Sequence, residues 1–191
     1  ADRALGPWVR LAGWAGLTPD GVSVIAFAMA VVAAVAFLLA TPPSYAVGAL
    51  AVFLNGWLDL VDGALARVEG SEAAEGDLLD HVLDRYADLI IIGALAAGIE
   101  AYAVGLLAVT GVLMTSYMGT QIQAVGLGRA YGGLIGRADR LALIGLTGVA
   151  AAVVSGPVVA GYGVVELLLA FFTLIGHLTA AQRFWGAWND L

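Results

Sequence analysis

Four aspartates carry the chemistry available to this chain. Asp59 and Asp62 stand three positions apart, and Asp80 and Asp84 stand four apart. On a helix, residues three or four apart share a face, so two helices would each present a carboxylate pair. A short polar turn around Gly70 to Gly76 would join those helices. Four carboxylates brought together repel one another, and a cation is the usual remedy; hard oxygen ligands suit Mg²⁺, Mn²⁺ or Ca²⁺. The surrounding stretch from Asp59 to Asp88 holds nine of the fifteen acidic residues. Glu69, Glu72, Glu75 and Asp77 fall in the turn and read as solvated. Asp59, Asp62, Asp80, Asp84 and Asp88 instead interrupt apolar segments. A carboxylate at membrane depth costs roughly 2.5–3.5 kcal/mol even on insertion scales. Arg67 and Arg85 could neutralise at most two of the five, and the excess of acid calls for a cation.

The elements that must position these residues are membrane helices. The chain has 191 residues, 61% hydrophobic and 12% charged, where a soluble domain carries roughly a quarter charged residues. Long apolar runs then mean membrane spans. The absence of cysteine excludes disulfides, zinc–thiolate sites and thiol nucleophiles. A net charge of −7 gives no reason to expect nucleic-acid binding. Residues 1–19 place Leu5, Trp8, Val9, Leu11, Ala12 and Trp14 among Arg3 and Arg10. This predicts a short N-terminal interfacial amphipathic helix, and it does not resemble a cleaved signal peptide. Thr18 can cap the next helix, with Pro19 at its first position. Residues 20–191 then read as one all-α, six-helix transmembrane domain, with spans at about 20–40, 45–67, 78–99, 102–125, 138–155 and 158–181. All eight arginines fall on one side, before the first span, in or flanking the second and fourth turns, or after the last span, and the turns at Thr41–Ser44, Ile99–Ala101 and Ser155–Gly161 carry none. The positive-inside rule makes that side cytoplasmic. Both termini and the acidic motif lie on it, in a multi-pass protein of the cytoplasmic membrane. Abundant small residues would let the helices pack closely in lipid.

The spacing Asp59-x2-Asp62-Gly63-x2-Ala66-Arg67-x8-Gly76-x3-Asp80-x3-Asp84 resembles the signature of the CDP-alcohol phosphotransferases, integral membrane enzymes that join lipid headgroups. All eight fixed positions match over 26 residues. Leu17-Thr18-Pro19-Asp20 is similar to the Leu-Thr-Pro-Asn sequence that often precedes the first span in this family, which has six spans. The resemblance implies attack of an acceptor hydroxyl on a CDP-linked lipid donor, release of CMP and formation of a phosphodiester. It implies that Asp59, Asp62 and Asp80 hold divalent metal, Mg²⁺ or Mn²⁺ and generally a pair of ions. Asp84 would be the general base, also described as touching metal. Asp62, Gly63, Ala66, Arg67, Gly76 and Asp80 would receive the CDP group: the small residues admit the nucleotide close to the helix backbones, and Arg67 lies near phosphate. Homodimers are common in the family. Asp88, one turn past Asp84, either supports the metal site or neutralises an arginine. His81, beside Asp80 but on a different helix face, reads as a polar boundary residue, and His177 as a lone polar group in an apolar helix.

The acceptor is read from Arg129, Arg137 and Arg140, which cluster at the head of the fifth span. Guanidinium forks suit phosphate, so the acceptor would be a small phosphorylated alcohol. Gly133-Leu-Ile-Gly-Arg137-Ala-Asp-Arg140 resembles the Arg-x-x-Arg segment of the family's inositol-phosphate branch. Its product would be a phosphatidyl- or archaetidylinositol phosphate. Glycerol 3-phosphate is the rival acceptor, and serine needs no basic cluster. Ser116, Tyr117 and Arg183 could also line the pocket. A different class, a cation transporter or channel, would instead spread carboxylates across membrane depth; here they gather on two consecutive helices at one side.

Overall fold

The computed structural model describes residues 2–70, 74–128 and 134–191. Seven α-helices follow in order: α1 Asp2–Trp14, α2 Pro19–Leu38, α3 Pro42–Glu69, α4 Ala74–Gly98, α5 Tyr102–Ala124, α6 Arg137–Val153 and α7 Val164–Asp190. No strand occurs among the described residues, only an isolated bridge between Val159 and Tyr162.

Local chemistry sets the helix ends. Thr18 Oγ1 accepts from the Gly21 N–H at 3.1 Å, and Pro19 occupies the first position of α2, as the sequence predicts. Thr41 and Ser44 cap α3 reciprocally: the Thr41 N–H donates to Ser44 Oγ at 2.9 Å, and the Ser44 N–H to Thr41 Oγ1 at 3.4 Å. Gly70 ends α3 at φ 63°, a left-handed cap that a side chain would strain. Asp139 Oδ2 accepts from the Gly136 N–H at 2.9 Å and fixes the start of α6, which makes Arg137 its first residue.

Fully buried side chains from α2, α4, α6 and α7, among them Phe37, Ile91, Leu95, Ile144, Leu169 and Phe172, form the main core. Close backbone approach supports it: a Cβ on Gly176 of α7 would lie 2.6 Å from the Gly111 carbonyl carbon of α5. A second cluster joins Leu5 and Ala12 of α1 to Val22, Val61, Ala64 and Leu65. There Trp8 meets Trp57 edge-on at 5.8 Å. The amphipathic first helix thus packs against the acid-bearing half of α3.

α2, α3, α5 and α7 are long and apolar enough to cross a membrane. α4 carries too many charges in its first half to match them, and α6 has only 17 residues. The last helix departs most from its predicted bounds of 158–181. Positive φ at Gly156, Ala160 and Gly161, with the Val159–Tyr162 bridge, carries the turn expected at Ser155–Gly161 on past the predicted start of the span. The helix starts at Val164 and continues through the polar tail to Asp190.

α6 is tied to α4 by a buried ion pair. Arg140 Nη2 donates to Asp88 Oδ2 at 2.8 Å, with Arg140 at 5% and Asp88 at 1% exposure. Arg85 Nη2 lies 3.6 Å from the same oxygen. Asp88 therefore neutralises arginines, the second of its two expected roles. Removing one partner of a buried pair leaves the other charge uncompensated, at a cost of about 3–5 kcal/mol. Asp88→Asn is expected to lower stability by that order in detergent unfolding, whereas the apolar pair Asp88→Leu with Arg140→Met recovers most of the loss.

Candidate active site

The end of the bundle where α3 finishes and α2, α4 and α6 begin gathers the acidic side chains. Asp59 and Asp62 sit near the end of α3, and Asp80 and Asp84 in the first half of α4. Asp59, Asp62 and Asp80 each offer a carboxylate oxygen within 4.8 Å of the others. Asp62 is 7% exposed, and Ser23 Oγ of α2 donates to its Oδ2 at 2.7 Å, which fixes the carboxylate's rotation. Three convergent, hard, anionic oxygens fit a divalent cation of the Mg²⁺ or Mn²⁺ kind.

Asp84 is placed differently. Arg137 spans the gap between the two acidic helices: its Nη1 lies 2.7 Å from Asp59 Oδ2, and its Nη2 lies 2.6 Å from Asp84 Oδ1. Arg85 Nη2 approaches Asp84 Oδ2 at 3.7 Å. Asp84 is thus a mostly buried carboxylate held by a guanidinium fork, beside the three-carboxylate cluster and outside it. Of the arginines expected near an acceptor phosphate, Arg137 is at the carboxylates and Arg140 lies behind it on Asp88. Arg129 lies outside the described residues. The five carboxylates Asp59, Asp62, Asp80, Asp84 and Asp88 outnumber the arginines paired with them, and a divalent cation reduces that excess.

Two spaces open from this point. A cleft of about 550 Å³ is bordered by Asp62, Gly63, Ala66, Arg67, Gly76 and Asp80, together with Pro19, Asp20 and Ser23 at the head of α2. All six positions expected to receive the CDP group therefore face one cleft. Its size is that of a small-molecule site. The glycines are close to other groups: a Cβ on Gly76 would lie 3.1 Å from Asp20 Oδ1, and one on Gly63 would lie 3.5 Å from Arg67 Nη1. On the other side of Asp59, an apolar groove of about 610 Å³ runs between α3 and α6. Phe53, Trp57, Leu141, Leu146 and Val149 line it, and Asp59, Asp84 and Arg137 close its head. The arrangement can hold a molecule with a polar, phosphorylated end and an apolar tail, and can present its junction to carboxylates.

Ser23 and the double ion pair of Arg137 are functional features that sequence reasoning missed. Ser23 had a local signal, a hydroxyl four residues after the helix-starting Pro19 in an otherwise apolar run. Arg137 had none, since its partners lie far back along the chain. His81 Nδ1 is 2.9 Å from the Asp77 carbonyl oxygen, and His177 Nε2 is 3.2 Å from that of Leu107. His81 also lies 3.4 Å from Asp77 Oδ1, as suits a polar boundary residue.

Comparison with known proteins places this geometry. A family model described as CDP-alcohol phosphatidyltransferase matches residues 16–175. The chain is 36% identical over 184 residues to phosphatidylinositol phosphate synthase of Mycobacteroides abscessus, covering 88% of this chain and 76% of that one. It is 33% identical over 145 residues to archaetidylinositol phosphate synthase of Methanothermobacter thermautotrophicus, covering 75% and 71%. The fold is that of Mycobacterium tuberculosis phosphatidylinositol phosphate synthase crystallised with CDP-DAG bound, with a TM-score of 0.80 at 24% identity over 97% of this chain and 94% of that one. A second crystal structure of that protein, in complex with manganese and citrate, also superposes with a TM-score of 0.80 at 24% identity, covering 96% and 88%. The matched motif, its convergence in space and these relatives agree: the chain belongs to the CDP-alcohol phosphatidyltransferase family of transferases.

Proposed function

We propose that this protein transfers a phosphatidyl- or archaetidyl-type group from a CDP-linked lipid to inositol phosphate and releases CMP. The observation that carries the reading is the meeting of a polar cleft and an apolar groove at one carboxylate cluster. The names of the relatives supply the acceptor class: both are synthases of an inositol phosphate lipid.

Asp59, Asp62 and Asp80 would hold divalent cation, which supplies charge neutralisation of the diphosphate and of the departing CMP. The chain's own residues do the rest. Gly63, Ala66 and Gly76 leave room for cytidine against the helix backbones, and Arg67 faces the diphosphate. The groove between α3 and α6 takes the lipid chains. Asp84 accepts the proton of the attacking acceptor hydroxyl; the new P–O bond forms as the bond to CMP breaks. Arg137 aims that carboxylate. A guanidinium has five N–H donors, so with two on Asp59 and Asp84, Arg137 keeps others for the acceptor's phosphate. Its residue type assigns Arg129 to the same phosphate, whereas Arg140, buried and paired with Asp88, holds α6 in place behind the site. Glycerol 3-phosphate would satisfy the same arginines. Serine would leave them without an anion, and this disfavours it.

The same reading carries six membrane-crossing helices with α1 lying in the interface. Both termini and the site face the cytoplasm. The arrangement of the arginines supports that orientation. The functional unit is a homodimer, which crosslinking in native membranes tests.

Three experiments test this reading. CMP release by purified protein with Mg²⁺ or Mn²⁺ is measured for CDP-diacylglycerol and CDP-archaeol against inositol phosphate, glycerol 3-phosphate, serine and inositol. Release that depends on inositol phosphate is expected, and equal release with glycerol 3-phosphate would sink the acceptor assignment. Asp84→Asn should lower turnover by roughly 10²–10⁴, the range of general-base catalysis, while CDP-lipid binding stays near wild type. Undiminished turnover in that variant would remove the base role. Asp62→Ala should abolish metal-dependent donor binding; unchanged metal affinity would count against the carboxylate cage.

A further inference from the structure

Asn55 is a buried amide that the transfer chemistry above does not use. It is 2% exposed and lies four residues before Asp59, one turn further into the bundle on the same face of α3. Its Nδ2 donates to the Ala26 carbonyl oxygen of α2 at 2.9 Å. That bond fixes the amide's orientation, because only the NH₂ end can donate to a carbonyl. Oδ1 therefore points away from Ala26, and it is a buried oxygen with no partner in the protein. Leaving such an acceptor unsatisfied is costly, and a leucine of similar volume would avoid the cost.

Asn55 borders a small cavity behind the carboxylates, which Asp59, Asp80, Asp84 and Arg137 also line. Its volume, about 10 Å³ for the centre of a water-sized sphere, is that of a single water. Arg137 contributes a second unsatisfied atom, its buried Nε. Two residues that each carry an unsatisfied buried atom, an acceptor on Asn55 and a donor on Arg137, thus line a space of one water's size together with Asp59, Asp80 and Asp84. A buried water typically makes about three hydrogen bonds to otherwise unsatisfied groups. Here it would accept from Arg137 Nε–H, donate one hydrogen to Asn55 Oδ1, and donate the other to a carboxylate oxygen.

We propose that Asn55 and Arg137 hold one structural water behind the carboxylate cluster, and that Asn55 is through it a positioning residue for the cation-binding carboxylates. Asn55 itself touches neither substrate nor cation. It anchors the water to α2 by way of the Ala26 carbonyl, so that three helices fix the carboxylates' orientation together. Groups that orient metal ligands from behind commonly affect metal affinity by about 10–100-fold.

The test has two arms. A crystal structure of the wild-type protein, at a resolution that shows ordered solvent, should contain a water within hydrogen-bond reach of Asn55 Oδ1 and Arg137 Nε. A dry cavity, or a metal ion inside it, overturns the proposal. In the second arm, Mn²⁺ binding is followed by electron paramagnetic resonance without substrates, beside the unfolding temperature of each variant. Asn55→Leu should weaken Mn²⁺ binding at least tenfold, and Asn55→Ser, which keeps an acceptor and leaves room for water, should restore part of it. A lowered unfolding temperature with unchanged Mn²⁺ affinity in Asn55→Leu would mean a packing role only and would overturn the proposal. This arm rests on the reading of Asp59, Asp62 and Asp80 as cation ligands. The wild-type isotherm separates the two: failure of wild type to bind Mn²⁺ sinks that reading, whereas wild-type binding with an unaffected Asn55→Leu sinks only this one.

Discussion

A guanidinium between two acidic helices is the contact on which the rest of this structure depends. Asp59 and Asp84 come from α3 and α4, and Arg137 comes from the first turn of α6. Without a cation between them, the carboxylates would push α3 and α4 apart in a bundle whose surroundings screen charge poorly. The contact is set up by ordinary local chemistry. Asp139 caps the Gly136 N–H, α6 begins at Arg137, and the positive end of the helix dipole faces the acids. One turn later Arg140 reaches Asp88, so α6 is held to α4 twice, once at the site and once behind it. The short helix, with 17 residues, is in this way positioned more by charge than by length.

The charge arrangement also explains why the site lies between two spaces of opposite character. Helix ends with unpaired backbone groups, polar turns and arginines make one side of the carboxylates wet, and this is where Gly63, Ala66 and Gly76 open the cleft. On the other side, apolar side chains of α3 and α6, among them Phe53, Leu146 and Val149, line the groove. An amphiphile spanning both would put its phosphorylated junction beside Asp59, the residue that borders the groove and also belongs to the carboxylate cluster.

Much of this was legible in the sequence where the physics is local. Helical periodicity put Asp59 with Asp62 and Asp80 with Asp84, and the cap at Thr18-Pro19 was readable from residue types alone. The six positions of the CDP signature are spread over 19 residues of two helices (Asp62 to Asp80), and they face one cleft because the turn between them is short. What was not legible is long-range pairing. Nothing near Arg137 announces that its partners are Asp59 and Asp84, and nothing near Ser23 announces Asp62. The start of α7 was misplaced for a different reason. The break at Ser155-Gly156-Pro157 was readable, but 158–163 is apolar enough to read as span, and positive φ at Ala160 and Gly161 carries the turn on where hydropathy does not register it. Its two glycines were a partial warning; Ala160 at φ 50° gave none.

The depth distribution of polar groups separates a transfer site from an ion path. A path needs polar side chains or water at every level of the membrane. Beyond Asp88, the core described here is closed by Ile91, Ile92 and Leu95 of α4 against Phe37, Ile144 and Leu169, all fully buried. The acids past that layer are Glu100, in the turn after α4, and Glu166, in the first turn of α7. Both stand near the opposite end of the bundle, with apolar packing between them and the carboxylate cluster. Charge concentrated at one end over a sealed apolar layer suits a reaction in which both substrates enter and both products leave on the same side.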